Sequence, residues 1–245
     1  MKNQNNTDPL ELLLEKYNFN LRKINKLTTG AKYTAILLKN GNIGVCANLG
    51  HKIISQIDKY LNIDLNNFSH RIVLNAYFNA LLNYDDEFCK SGDIFEKINF
   101  RKYKHIIMIG LFKPIVKKFQ ENNIPLTVFD YRKSETLITS NSKQRQHLQE
   151  ADTVILTATS IFNLTFLNIT NNTGDNCEIF MLGPSSIMIK EILQYRNIKM
   201  IFGSTFKKFD DRVLEIIRNN GGTREFLKYG EKRIFKIGEI DENLS

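Results

Sequence analysis

Residues 151 to 166 read Ala151-Asp-Thr-Val-Ile-Leu-Thr-Ala-Thr-Ser-Ile-Phe-Asn-Leu-Thr-Phe166. An apolar run, Val154 to Leu156, breaks into four small or hydroxylated residues, Thr157 to Ser160, and resumes at helical spacing with Asn163 and Thr165. A buried strand that ends in a polar turn and feeds a helix gives this pattern. The hydroxyl and amide groups would then lie beside the helix's unpaired backbone N–H groups, a good place to hold an anionic or polar ligand.

Outward from this stretch the same alternation recurs. Ile106 to Ile109, Leu126 to Phe129, Ile179 to Leu182 and Met200 to Phe202 are short apolar runs. Between and after the runs lie helical patterns near Pro114 to Asn122, Ile161 to Ile169, Ser186 to Tyr195 and Asp210 to Asn219. Strands alternating with helices predict an α/β unit, a parallel sheet covered on both faces. Ligands of such sheets bind outside the carboxyl ends of the strands. Gly110, Asp130, Thr157, Gly183 and Gly203 follow the five runs and are expected to line one crevice.

The first part of the chain reads differently. Asp8-Pro9 suits an N-cap and first helical residue, with Leu10, Leu13, Leu14 and Tyr17 as the apolar stripe. Leu21 to Leu27 and Tyr33 to Leu38 read as strands, and Asn40-Gly41 is a hairpin turn into Ile43 to Ala47. A helix capped by Ser69 follows, to about Asn83. Helix, antiparallel meander and helix make a smaller α+β unit. The charged stretch from Asp85 to Arg101, with a short helix at Ile94 to Ile98, connects it to the second, so the expected division is 1–92 and 93–245.

Composition narrows the function classes. The chain has 245 residues, 42% of them hydrophobic, enough for a sizeable core. No apolar run approaches the roughly 18 residues of a membrane span. Met1 to Asp8 lacks the apolar core of a signal peptide, so a cytoplasmic location is expected. Three isolated cysteines, Cys46, Cys89 and Cys177, and four scattered histidines offer neither a disulfide framework nor a spaced zinc site. The net charge of +8 comes from lysines and arginines spread along the chain without interleaved aromatics, so no nucleic-acid partner is expected.

Asp130 follows Gly110 by twenty residues, the spacing at which a dinucleotide-binding unit places the acid that grips a ribose. Leu111, Phe112, Lys113 and Pro114 stand where that fingerprint needs further glycines, and Lys113 offers a charge to an anionic ligand at a helix start. Gly183-Pro184-Ser185-Ser186 sets a glycine, a rigid proline and two hydroxyls between a strand and a helix; capping explains them as well as ligand contact does. Thr157, Thr159, Ser160 and Asn163 complete the candidates, Asn163 ranking above Thr165 because it is nearer the helix start. No nucleophile and base pair, carboxylate pair or P-loop is legible, and catalytic and metal-ligating residues are not assigned.

Several of these motifs, in order, resemble the putative heavy-metal chelation domain family, formerly a domain of unknown function. They are Gly110-Leu-Phe-Lys-Pro114, Asp130, Ala151-Asp152 to Thr165, Gly183-Pro184-Ser185-Ser186, Gly203 and Gly221-Gly222. Gly30-Ala-Lys-Tyr-Thr34, Asn40-Gly41-Asn-Ile-Gly44 and Leu74-Asn75-Ala76 with Asn79 resemble that family's companion domain. The resemblance implies an N-terminal domain similar to that of enolase, a Rossmann-like C-terminal domain, a site between them, and a heavy metal or metal chelate as ligand. Where such relatives read Thr-Gly-Thr-Thr, this chain has Thr157-Ala158-Thr159-Ser160, with less room for backbone approach. Soft metals prefer thiolate and imidazole ligands, and these motifs hold neither Cys nor His. The leading expectation is therefore a polar small molecule or metal chelate bound at the strand ends, in metal, metallophore or cofactor metabolism. The alternatives are a Rossmann-type enzyme using a nucleotide or S-adenosylmethionine, with Asp130 on the ribose, and a purely structural partner-binding protein. Enzymatic activity and a homo-oligomer formed through the meander's edge strand stay open.

Overall fold

The structure is a computed structural model and describes residues 6–85, 89–130, 139 and 141–236. It contains a three-stranded antiparallel sheet and a seven-stranded, mostly parallel one. Helix α1 (Pro9–Tyr17) starts as expected, with the Asp8 carboxylate accepting from the Leu10 and Glu11 N–H groups. Strands β1 (Ile24–Thr29), β2 (Tyr33–Leu38) and β3 (Ile43–Ala47) form the meander. The first begins later than expected, because the Asn20 side chain caps a short 3-10 turn over Leu21–Lys23. Helix α2 (Phe68–Leu82) covers the meander; its cap is Asn67 rather than Ser69, whose own N–H the Asn67 side chain accepts.

The expected connection over 85–101 includes 86–88, which lie outside the described residues. It then carries β4 (Cys89–Ser91) and α3 (Ile94–Lys97). Next come β5 (Ile106–Ile109), α4 (Lys113–Glu121), β6 (Thr127–Phe129), α5 (Gln144–Glu150), β7 (Thr153–Thr157), α6 (Phe166–Asn171), β8 (Glu178–Leu182), α7 (Lys190–Leu193), β9 (Ile198–Phe206), α8 (Asp211–Arg218), α9 (Thr223–Phe226) and β10 (Gly230–Phe235).

The large sheet has the order β4-β10-β9-β8-β7-β5-β6, and the five expected strands run parallel within it. β10 pairs antiparallel with both β9 and β4, extending the sheet beyond what the apolar runs announced. Along the central strands the side chains alternate between two cores. Val154 and Leu156 join a cluster with α1 and α2 residues such as Leu13, Val73 and Tyr77, whereas Ile155 joins Met108, Phe119 and Phe180 on the other face. Both faces are covered, which is why these strands read as continuous apolar runs.

The first of those clusters belongs to both units, so small and large sheets share one core. Polar contacts register the two. The Tyr84 hydroxyl donates to the Ile43 carbonyl (2.8 Å) and accepts from the Ile43 and Phe206 N–H groups, tying β3 to β9. Gly44 lets α2 approach β3: a Cβ there would overlap the Ala76 carbonyl and the Ala80 nitrogen. Among the described residues no helix is long and apolar enough to cross a membrane.

Three expected elements come out differently. The helix read at Ile161 to Ile169 starts only at Phe166, because Ala158–Ser160 form a 3-10 turn and Leu164 takes a left-handed conformation (φ 65°). The helix read at Ser186 to Tyr195 shrinks to Lys190–Leu193, because the backbone before it is held by α2. Strand β9 continues to Phe206, so Gly203 lies inside it.

Candidate crevice at the strand ends

In the order β9-β8-β7-β5-β6 the chain's direction of travel reverses between β5 and β7, the topological switch point where such sheets bind ligands. Gly110 ends β5 and Thr157 ends β7, and the two are in contact. Gly110 has φ +90°, and a Cβ there would lie 2.7 Å from Thr157 Cβ. The turn this permits aims the Leu111 N–H at Asp130 Oδ2 (2.6 Å), bringing the end of β6 to the same place. Lys113 is the exposed first residue of α4.

The turn after β7 is internally hydrogen-bonded. Thr157 Oγ1 and Thr159 Oγ1 are 3.0 Å apart, and Thr157 Oγ1 also accepts from the Thr159 N–H. Ser160 is fully buried, and its hydroxyl has no hydrogen-bond partner among the described residues. Asn163 Oδ1 accepts from both the N–H and the hydroxyl of Thr165. Residues two apart on one helix do not share a face; here the two instead close a turn that sits before α6. The hydroxyls of Thr157 to Ser160 therefore do not flank the first turn of α6.

Beneath this turn lies a residue that the sequence reading missed. Arg71, buried on α2, donates through Nε to the Phe162 carbonyl (2.7 Å) and through Nη2 to the Ile161 carbonyl (2.8 Å) and Asp8 Oδ2 (2.7 Å). One guanidinium thus ties the crevice turn to the start of α1. A lone arginine beside the apolar run of Ile72, Val73 and Leu74 was the available signal.

The segment after β8 divides. Gly183 stays at the crevice, with Ala158 Cβ and the Phe112 ring within 3.8 Å of where its side chain would begin. Pro184, Ser185 and Ser186 instead face α2. Asn79 Nδ2 donates to the Pro184 and Ser186 carbonyls, Asn75 Nδ2 to the Ser185 carbonyl, and Asn83 Nδ2 to the Ser186 carbonyl. Ser185 Oγ accepts from the Ala47 N–H at the end of β3. Ser185, read as a ligand contact, is thus buried as a joint between the two sheets. Gly203 is likewise removed from the expected crevice: it pairs with Arg233 of β10 and lies under Met188.

The donor set does not suit a bare soft metal. The gathered groups are hydroxyls, amides, backbone and one carboxylate, and the described residues contain no group of three or more His, Cys, Asp or Glu able to hold an ion. Burial pushes the Cys46 thiol far up and the Cys177 thiol up to about 12, with Asp152 and Glu178 adding to the latter, so neither is a thiolate at neutral pH.

A second concavity, of about 520 Å³, lies at the opposite, amino ends of the strands, lined by residues including Lys102, Lys104, Asp152, Glu178 and Lys199. Its carboxylates are already engaged. Lys102 pairs with Glu178, the Tyr103 hydroxyl donates to the same carboxylate, and Asp152 accepts from the Lys104 and His105 N–H groups. Engaged carboxylates, at the end of the sheet opposite to where such folds bind ligands, make it the weaker candidate.

Two solved structures share this fold. A protein of unknown function from the DUF364 family of Pyrococcus horikoshii is 22% identical with a TM-score of 0.72, covering 87% of this chain and 93% of that one. Another of that family, from Desulfitobacterium hafniense DCB-2, is 18% identical with a TM-score of 0.74, covering 93% and 100%. No curated protein matches the chain. The family model described as "Putative heavy-metal chelation" matches residues 93–236, more than half of the sequence. With this match over more than half of its length, the chain belongs to the DUF364, or putative heavy-metal chelation, family.

Proposed function

We propose that the protein binds a polar small molecule or a metal chelate at the β5/β7 crevice, through hydroxyl and backbone groups rather than through metal–protein bonds. One observation carries this reading: Gly110, Asp130, Thr157 and Thr159 converge at the point where the strand order reverses. Gly110 lets the end of β5 lie directly against Thr157, which sets the two strand ends side by side. The Thr157 and Thr159 hydroxyls can each donate or accept, which suits the oxygen atoms of a chelating ligand. Asp130, oriented by the Leu111 N–H, supplies the site's negative charge. The family description is consistent with a ligand that carries the metal into the site already chelated.

Calorimetry with cupric citrate, citrate alone and the cupric ion alone tests the proposal. Binding of the complex that Thr157→Val and Thr159→Val each weaken at least tenfold (about 1.4 kcal/mol) supports it. Tight binding of the bare ion, unaffected by either substitution, or no response to any chelate, overturns it. A second reading rests on the position of Asp130 at the end of the second parallel strand: a nucleotide or S-adenosylmethionine with its ribose on that carboxylate. Binding of either cofactor that Asp130→Ala abolishes would favour it.

A further inference from the structure

The loop between β5 and α4 reaches across the crevice. From the turn at Gly110 the chain carries Phe112 back over the ends of β7 and β8, where its Cζ lies 3.7 Å from the position a Gly183 side chain would take. Ala158 Cβ is 3.8 Å from the same point, so the ring tip and a floor of small residues, Ala158 and Gly183, border the place a Gly183 side chain would occupy. That floor adjoins the paired hydroxyls of Thr157 and Thr159. Phe112 is only partly buried and, at the N-cap position of α4, provides no side-chain capping bond. It also packs against the apolar cluster that includes Met108, Val116 and Phe119.

We propose that Phe112 is the gate of the crevice, pivoting at Gly110. In the closed arrangement its ring excludes a ligand from the Ala158–Gly183 floor. In the open one a flat, oxygen-bearing molecule or chelate replaces the ring on that floor, with its rim oxygens at Thr157 and Thr159. Glycine at 183 suits the backbone there (φ +136°) and keeps that part of the floor free of a side chain. The proposal rests on the reading of the crevice as the ligand site and adds the residue that controls entry and favours a planar shape.

The chain contains no tryptophan, so Phe112→Trp creates a single fluorescent reporter at the gate. In the unliganded protein its emission is expected to be shielded from acrylamide, and in Phe112→Ala hydrogen exchange across residues 157–160 should rise. If the closed ring leaves the floor open about a tenth of the time, Phe112→Ala binds cupric citrate about tenfold more tightly than the parent chain. The complex should also quench the introduced indole and increase its acrylamide access. Phe112→Leu replaces the alanine variant if that one does not fold. A reporter already fully accessible without ligand, together with unchanged exchange in the truncated variant, overturns the gate. Equal affinity of parent and truncated variant, with binding still lost in Thr157→Val, overturns the gate and leaves the crevice as the site. No binding by either protein overturns both.

Discussion

Arg71 shows how much one residue can organise. Its guanidinium is almost wholly removed from water, and it meets the Ile161, Phe162 and Leu65 carbonyls as well as Asp8. Arginine suits the position because its planar fork serves several acceptors at once, which a lysine ammonium at one point cannot. Replacing it by methionine keeps the length but strands the buried carbonyls and leaves Asp8 without its partner. Breaking such a pair costs about 3–5 kcal/mol. Urea denaturation of Arg71→Met should show a loss of that size, and a loss below about 1 kcal/mol would mean that water replaces the guanidinium.

At the scale of elements, α2 is a connector rather than a surface helix. Residues 71–80 are all buried, and Asn75, Asn79 and Asn83 stand four apart, so the helix presents them as one row. The row takes up four bonds to backbone carbonyls between Pro184 and Ser186, while Asn83 Oδ1 accepts from the Met188 N–H. This fixes the segment after β8 as a turn, closed by the Ser186 N–H on the Gly183 carbonyl, and an irregular stretch in place of a continuous helix. Asn79→Ala should strip the Pro184 carbonyl of its side-chain donor and leave the Ser186 carbonyl with Asn83 alone, at a cost of about 1–3 kcal/mol in chemical denaturation. A neutral result would count against the row as the joint between the sheets. The apolar runs announced all five parallel strands, since alternation between two covered faces is written locally. The expected helix at Ser186 to Tyr195 was legible only as a propensity, and contacts from α2, remote in the chain, overrode it.

For the whole molecule, the sheets share one apolar core, while ion pairs fasten the far edge. Asp93 caps α3 and meets Lys118 of α4 and Lys232 of β10. Partial burial works against its charge, but the Lys232, Phe95 N–H and Lys118 hydrogen bonds outweigh it and bring its pKa down to about 2. The folded value is below the unfolded one, so the stabilisation is complete above about pH 4 and is lost as pH falls through about 2. Both lysines are substantially exposed, so screening reduces the contribution to about 1 kcal/mol. Stability of the parent chain should therefore fall more steeply than that of Asp93→Asn between about pH 5 and about pH 2; parallel curves would remove Asp93 from the acid response. At the α1–α7 contact the burial of Glu191 is outweighed by its bonds from Lys16 and Tyr17, so its pKa is also lowered and it acts in the same direction.

By itself the sequence determined the parallel strands, the meander, the long covering helix and the turns that bring Gly110, Asp130, Thr157 and Thr159 to one crevice. These follow from periodicity, turn chemistry and strand direction, all of which act between residues close in the chain. Only the tertiary structure decided that Ser185 joins the two sheets, that Gly203 pairs inside β9, that Arg71 holds the turn after β7 and that Phe112 reaches Gly183. Those outcomes depend on partners distant in the chain, such as Ala47 for Ser185, 138 residues away, and Ile161 for Arg71, 90 away. A side chain's hydrogen-bonding capacity is visible in the sequence, but whether a ligand or a distant backbone group uses it depends on which elements pack together.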